Sequence, residues 1–139
     1  MLLSGPLQAT GYDFEPMGNR SLISVVDDNE SVRESLPDLL RQFDFDVQAF
    51  ESAEAFLAAD AADKTSCLIL DVALPGMSGP DLQQELQRLG KKLPIIFITA
   101  HGDASVGPRL LARGAVACLF KPFNETDLLD ALSSALGKM

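Results

Sequence analysis

The sequence predicts an α/β fold in which helices cover both faces of a parallel sheet. Three observations lead there. From Ser21 onward, short apolar runs alternate with stretches of helical spacing, the pattern of repeated strand-helix units. Three of those runs are almost wholly apolar, as strands covered on both faces must be. The 139 residues, 47% hydrophobic and 22% charged, suffice for one globular core but not two.

Five runs qualify as strands: Leu22 to Val26 (LISVV), Asp46 to Phe50 (DVQAF), Cys67 to Leu70 (CLIL), Pro94 to Ile98 (PIIFI) and Val116 to Phe120 (VACLF). The first, third and fourth carry almost no polar residue, which predicts central positions. Between the runs, Val32, Leu36, Leu39, Leu40 and Phe43 recur at helical spacing, as do Leu82, Leu86 and Leu89, and Leu128, Leu129, Leu132 and Leu136. Pro80 after Gly79 reads as a proline in a first helical turn, Asn124 with Asp127 resembles a capping box, and Gly90 is placed to end its helix. Pro37 predicts a bend in the first helix. Gly107-Pro108 predicts a short fourth helix starting at about Pro108, because proline lacks an N–H and its ring crowds the preceding turn.

Eleven Lys and Arg against twenty Asp and Glu give a net charge of −9. That excess argues against nonspecific nucleic-acid binding and against adhesion to anionic lipid, both of which need basic surface. Residues 1–20 have neither the basic start nor the apolar core of a signal peptide, and no apolar run approaches a membrane span. The expectation is a cytoplasmic protein with a flexible extension over 1–20 and a folded domain over 21–137. Cys67 and Cys118 sit in apolar runs without metal-ligand or CxxC spacing, so they read as reduced core thiols. His101, the one histidine, lacks the companions of a zinc site and reads as an exposed loop residue.

In an open parallel sheet, ligands bind beyond the carboxyl ends of the strands. The residues there are Asp27 and Asp28 after the first run, Asp71 after the third, Thr99 after the fourth and Lys121 followed by Pro122 after the fifth. Each has an ordinary reading. Asp27 and Asp28 are suited to capping the helix that opens near Asn29, Thr99 to ending a strand, and Lys121 to solvent. Asp71 fits such a reading least, since it interrupts the apolar run CLILDV. If the strands are parallel and adjacent, all five side chains share one rim. Two carboxylates about 5 Å apart repel by roughly 3 kcal/mol at an effective dielectric near 20. Three of them beside one ammonium therefore call for a further cation, and an all-oxygen donor set suits Mg²⁺ better than zinc. A metal that also binds phosphate oxygens leaves one carboxylate available as a nucleophile.

In order along the chain, VVDDNE, LILDVALPGMSG, FITAHGD and FKPF resemble the CheY-like receiver domain of two-component response regulators, closest to the FixJ-type branch. The resemblance spans about Ser21 to Leu136. It implies a doubly wound parallel sheet of order 2-1-3-4-5 with five flanking helices, a flavodoxin-like, CheY-like architecture. It implies that Asp71 takes a phosphoryl group from a sensor histidine kinase or phosphotransfer protein to form 4-aspartylphosphate. It also implies that Asp28 and Asp71 bind Mg²⁺ through carboxylate oxygens, Asp27 through water and Ala73 through its backbone carbonyl. Thr99 and Lys121 would then hold phosphoryl oxygens. The Lys121-Pro122 bond is typically cis in the family. The reading is of a switch that phosphorylates and dephosphorylates itself, not of an enzyme with an external substrate.

The family's aromatic switch residue, three positions before the lysine, is here Cys118, which departs from the pattern on the output face. The resemblance further implies a two-fold homodimer through the fourth helix, fifth strand and fifth helix, and either a stand-alone regulator or the receiver part of a transcription factor. The chain itself is expected to bind neither nucleic acid nor membrane. Two rivals fit less well. A flavin-binding domain of the same fold needs a hydroxyl- and glycine-rich first loop, and a phosphohydrolase of the aspartyl type usually has a second acid where Ala73 stands. A receiver-shaped protein-binding module that works without phosphorylation remains the alternative.

Overall fold

The computed structural model describes residues 20–100 and 105–137. The readings of residues 1–19 as a flexible extension and of His101 as a loop residue fall outside the described residues. Five parallel strands, β1 (Leu22–Val26), β2 (Asp46–Phe50), β3 (Cys67–Asp71), β4 (Ile95–Thr99) and β5 (Ala117–Phe120), form one sheet in the order β2-β1-β3-β4-β5. β1, β3 and β4 are its central strands, as their apolar character predicts. β3 runs one residue further than the apolar pattern and so includes Asp71. β4 starts one residue later than Pro94, which has no N–H to give the ladder, and ends one residue later than Ile98, at Thr99.

Alternate residues of each central strand feed two cores. Ile23, Val25, Cys67, Ile69, Ile96 and Ile98 face Leu36, Leu40, Leu128 and Leu132 of helices α1 (Glu30–Gln42) and α5 (Glu125–Leu136). On the other face, Val26, Leu68, Leu70 and Phe97 meet Phe56, Leu82, Leu86 and Leu110. Those belong to α2 (Ala53–Ala58), α3 (Gly79–Arg88) and α4 (Val106–Ala112). The period of two in the strands thus places helices on both faces. Ser24, the polar interruption of β1, is fully buried, and its hydroxyl bonds that of Thr65 at 2.6 Å.

Pro37 is buried inside α1, which continues on both sides of it to Gln42. α4 is short, as expected, but begins at Val106 instead of at about Pro108. Pro108 therefore occupies the third helical position, where a backbone N–H would lack an intrahelical partner anyway. Pro80 is in the first turn of α3, one place later than N1, since Gly79 opens the helix. Cys67 is buried, and its thiol is pushed up to about 12 by that burial. Cys118, expected in the core, is only half-buried, because β5 lies at the sheet edge. Neither is in a disulfide.

Candidate functional site

The sheet register brings the strand ends level. Val26 pairs with Leu70, Asp71 with Ile98, and Thr99 with Phe120. Asp27 and Asp71 each follow a member of the Val26–Leu70 pair, so they stand side by side where the chain's winding reverses between β1 and β3. Asp27, Asp28 and Asp71 each offer a carboxylate oxygen, all within 4.8 Å of one another. Lys121 enters from β5, its backbone N–H donating to the Thr99 carbonyl at 2.8 Å. Its Nζ lies 2.9 Å from Asp27 Oδ2 and 3.5 Å from Asp71 Oδ2. The bond from Lys121 to Pro122 is cis.

The first loop is built differently from the capping reading of the acid pair. The cap of α1 is Asn29, whose side chain accepts from the Ser31 N–H at 2.8 Å. Asp27, fully buried, uses Oδ1 to accept from the Asn29 N–H at 2.9 Å, and Arg33 donates to the Asp27 carbonyl at 3.0 Å. Asp28 is left exposed over the rim. Thr99 is buried at the end of β4. Ala73 is exposed, and its N–H donates to Asp71 Oδ1 at 3.3 Å.

The electrostatics follow from this crowding. Burial, then the charge of Asp27, raises the Asp71 carboxyl to about 6, against the opposing pull of Lys121 and the Ala73 N–H. For Lys121, burial favours the neutral form, but the carboxylates of Asp27 and Asp71 at its ammonium outweigh this and hold the group above its ordinary range. Asp27 Oδ2 is buried and accepts no well-directed hydrogen bond; what faces it is the ion pair with Lys121. Among the described residues, three acids facing the Lys121 ammonium leave a concentrated negative charge in the pocket.

The response regulator receiver domain family matches residues 23–133 of this chain. The chain belongs to that family. The receiver domain is 49% identical over 119 residues to transcriptional regulatory protein TdiR of Thauera aromatica, covering 86% of this chain and 52% of that protein. It is 48% identical over 116 residues to nodulation protein W of Bradyrhizobium diazoefficiens, covering 84% of this chain and 51% of that one. The chain thus spans about half the length of the curated relatives it matches. Among solved structures, FixJ-N matches with a TM-score of 0.77 at 36% identity over 87% of this chain and 97% of that one. Response regulator StyR matches with 0.79 at 44% identity over 85% and 60%. Receiver domains of this family are two-component signalling modules, for which phosphorylation on aspartate is standard and an acidic Mg²⁺ pocket is typical. No helix among the described residues is long and apolar enough to cross a membrane.

Proposed function

We propose that Asp71 is the phosphoryl acceptor of this receiver domain and that residues 21–137 form the switching unit. The observation that carries the reading is the position of its carboxylate, between the acids of the first loop and the ammonium of Lys121. In the transfer, Asp71 attacks the phosphorus of a kinase's phosphohistidine. One P–O bond forms, the P–N bond breaks, and the imidazole leaves with the electron pair. Charge on the equatorial oxygens needs fixed positive partners more than covalent help. Lys121 is one such partner, and the Thr99 hydroxyl is assigned another oxygen. In this reading the chain is a cytoplasmic switch without turnover of an external substrate, loaded by a sensor histidine kinase or phosphotransfer protein.

The donor set fits Mg²⁺: three hard carboxylate oxygens gather within 4.8 Å, the single charge of Lys121 does not neutralise them, and buried Asp27 Oδ2 has hydrogen-bonding capacity to spare. Asp28 and Asp71 would hold the ion directly, Asp27 through water, and Ala73 through its carbonyl. When bound, Mg²⁺ supplies the charge that lets an anionic acceptor and an anionic phosphoryl group approach each other.

Incubation with acetyl phosphate and Mg²⁺, read by intact mass, tests the assignment. The expected result is one added phosphoryl group, absent from Asp71→Ala. A chain that takes up none at any donor concentration would instead be a protein-binding module of receiver shape.

A further inference from the structure

The loop from β3 to α3 carries Ala73 past the acceptor, and it is fastened at both ends. At its base, the Gly79 N–H donates to the Val72 carbonyl at 3.0 Å. A Cβ on Gly79 would collide with the Asp71 carbonyl oxygen. Near its tip, the Met77 N–H donates to Oε2 of Glu54 at 2.8 Å, a contact spanning 23 positions of sequence. Gly76, the residue before, has φ +73°, and a Cβ there would lie 2.6 Å from the same Oε2. The carboxylate is thus seated directly against the loop backbone.

We propose that Glu54 is a positioning residue of the acceptor site, a clamp on α2 that fixes the 72–78 loop and with it the backbone Ala73 presents beside Asp71. This rests on the proposed role of Asp71 and extends it to a residue that touches no phosphoryl group.

The seat of the clamp is rigid. Ser52 caps α2 through the Ala55 N–H at 3.0 Å, and Ala53 and Phe56 are fully buried. Phe56 meets Phe50 edge to face with centroids 5.4 Å apart. An acid in a first helical turn ordinarily needs no explanation beyond its own helix terminus. Here the Met77 N–H is the leading influence that holds the Glu54 carboxyl below its ordinary range, ahead of Glu54's own N–H. The loop would otherwise span Asp71 to Ser78 with an exposed backbone donor and a glycine that visits many conformations. Holding Met77 removes part of that freedom before any ligand arrives, which lowers the ordering demanded on binding.

The test compares wild type, Glu54→Gln and Glu54→Ala by calorimetric titration with Mg²⁺ and by hydrogen exchange of the 72–78 amides, with thermal melting to show that all three are folded. Glu54→Gln keeps an acceptor oxygen and should stay close to wild type in both. Glu54→Ala should speed exchange at Met77 and weaken Mg²⁺ binding by about tenfold, the lower end of what outer partners of metal ligands give. Unchanged Mg²⁺ affinity in folded Glu54→Ala overturns the proposal, as does a Gln variant as impaired as the Ala variant. Neither measurement involves phosphorylation, so failure of Asp71 to accept a phosphoryl group is a separate result.

Discussion

Lys121 is paired more closely with Asp27 than with the proposed acceptor: its Nζ is 2.9 Å from Asp27 Oδ2 and 3.5 Å from Asp71 Oδ2. Asp27 has no exposed surface, whereas the lysine side chain keeps 27%. The lysine therefore serves the resting site by neutralising a buried acid, quite apart from any phosphoryl oxygen it later holds.

Removing that cation leaves a fully buried carboxylate beside two others. Lys121→Ala is expected to lose about 2 kcal/mol of stability in Mg²⁺-free buffer at neutral pH, somewhat below a fully buried pair because the lysine is partly solvated. Urea unfolding measures this. A midpoint equal to wild type would show that Asp27 does not depend on Lys121.

The raised carboxyl of Asp71 gives a pH signature with an unusual sign. The folded acid keeps its proton to about pH 6, whereas the unfolded one loses it near 3.8. Between those values the folded state binds more protons, so this group's contribution to stability falls as pH rises through the window. Asp71→Asn carries no such titration. Its melting temperature should match wild type near the acid end, rise above it as pH climbs from 3.8 to about 6, and exceed it by roughly 4 °C at neutral pH without Mg²⁺. Millimolar Mg²⁺ should narrow the gap by stabilising only wild type. A gap independent of pH would contradict the raised carboxyl.

Two glycines predict opposite outcomes for the same substitution. At Gly79 a methyl group meets the Asp71 backbone carbonyl, which cannot rotate away, so Gly79→Ala should destabilise by about 3 kcal/mol and disturb the acceptor loop. At Gly107, inside α4, a Cβ would lie at ordinary contact distance from Cys118, 3.7 Å from its Cβ and 3.8 Å from its Sγ. Gly107→Ala should therefore stabilise by about 0.5 kcal/mol through helix propensity. Thermal melts of the two variants decide it.

What the sequence discloses and what it hides divide along the range of the interactions. β1 is legible to the residue because Ser21 and Asp27 bound its apolar run, and Asp71 stands out because a carboxylate in an apolar strand requires a reason. α2 is not legible: AEAFLA is six residues with one large buried side chain, Phe56, too short to display a period. The Ser78–Asp81 capping box of α3 carries a serine and an acid three positions on, but the intervening Gly79-Pro80 is the stronger local signal for the same helix start. Glu54 is invisible to spacing, since its partner at Met77 is set by how α2 packs beside the loop. For the acid pair Asp27 and Asp28, the sequence alone allows a helix cap as readily as a place in the pocket; Asn29 takes the cap and leaves both carboxylates to the pocket.

The central claim is that the acids and lysine at the strand ends form one Mg²⁺-dependent phosphoryl pocket on Asp71. Its most direct test is peptide-level mapping of the phosphoryl group after acetyl phosphate treatment, with Mg²⁺ and with EDTA in its place. The account predicts label on the peptide containing Asp71, present with the metal and lost without it. Label on a different peptide, or equal labelling in EDTA, would contradict it.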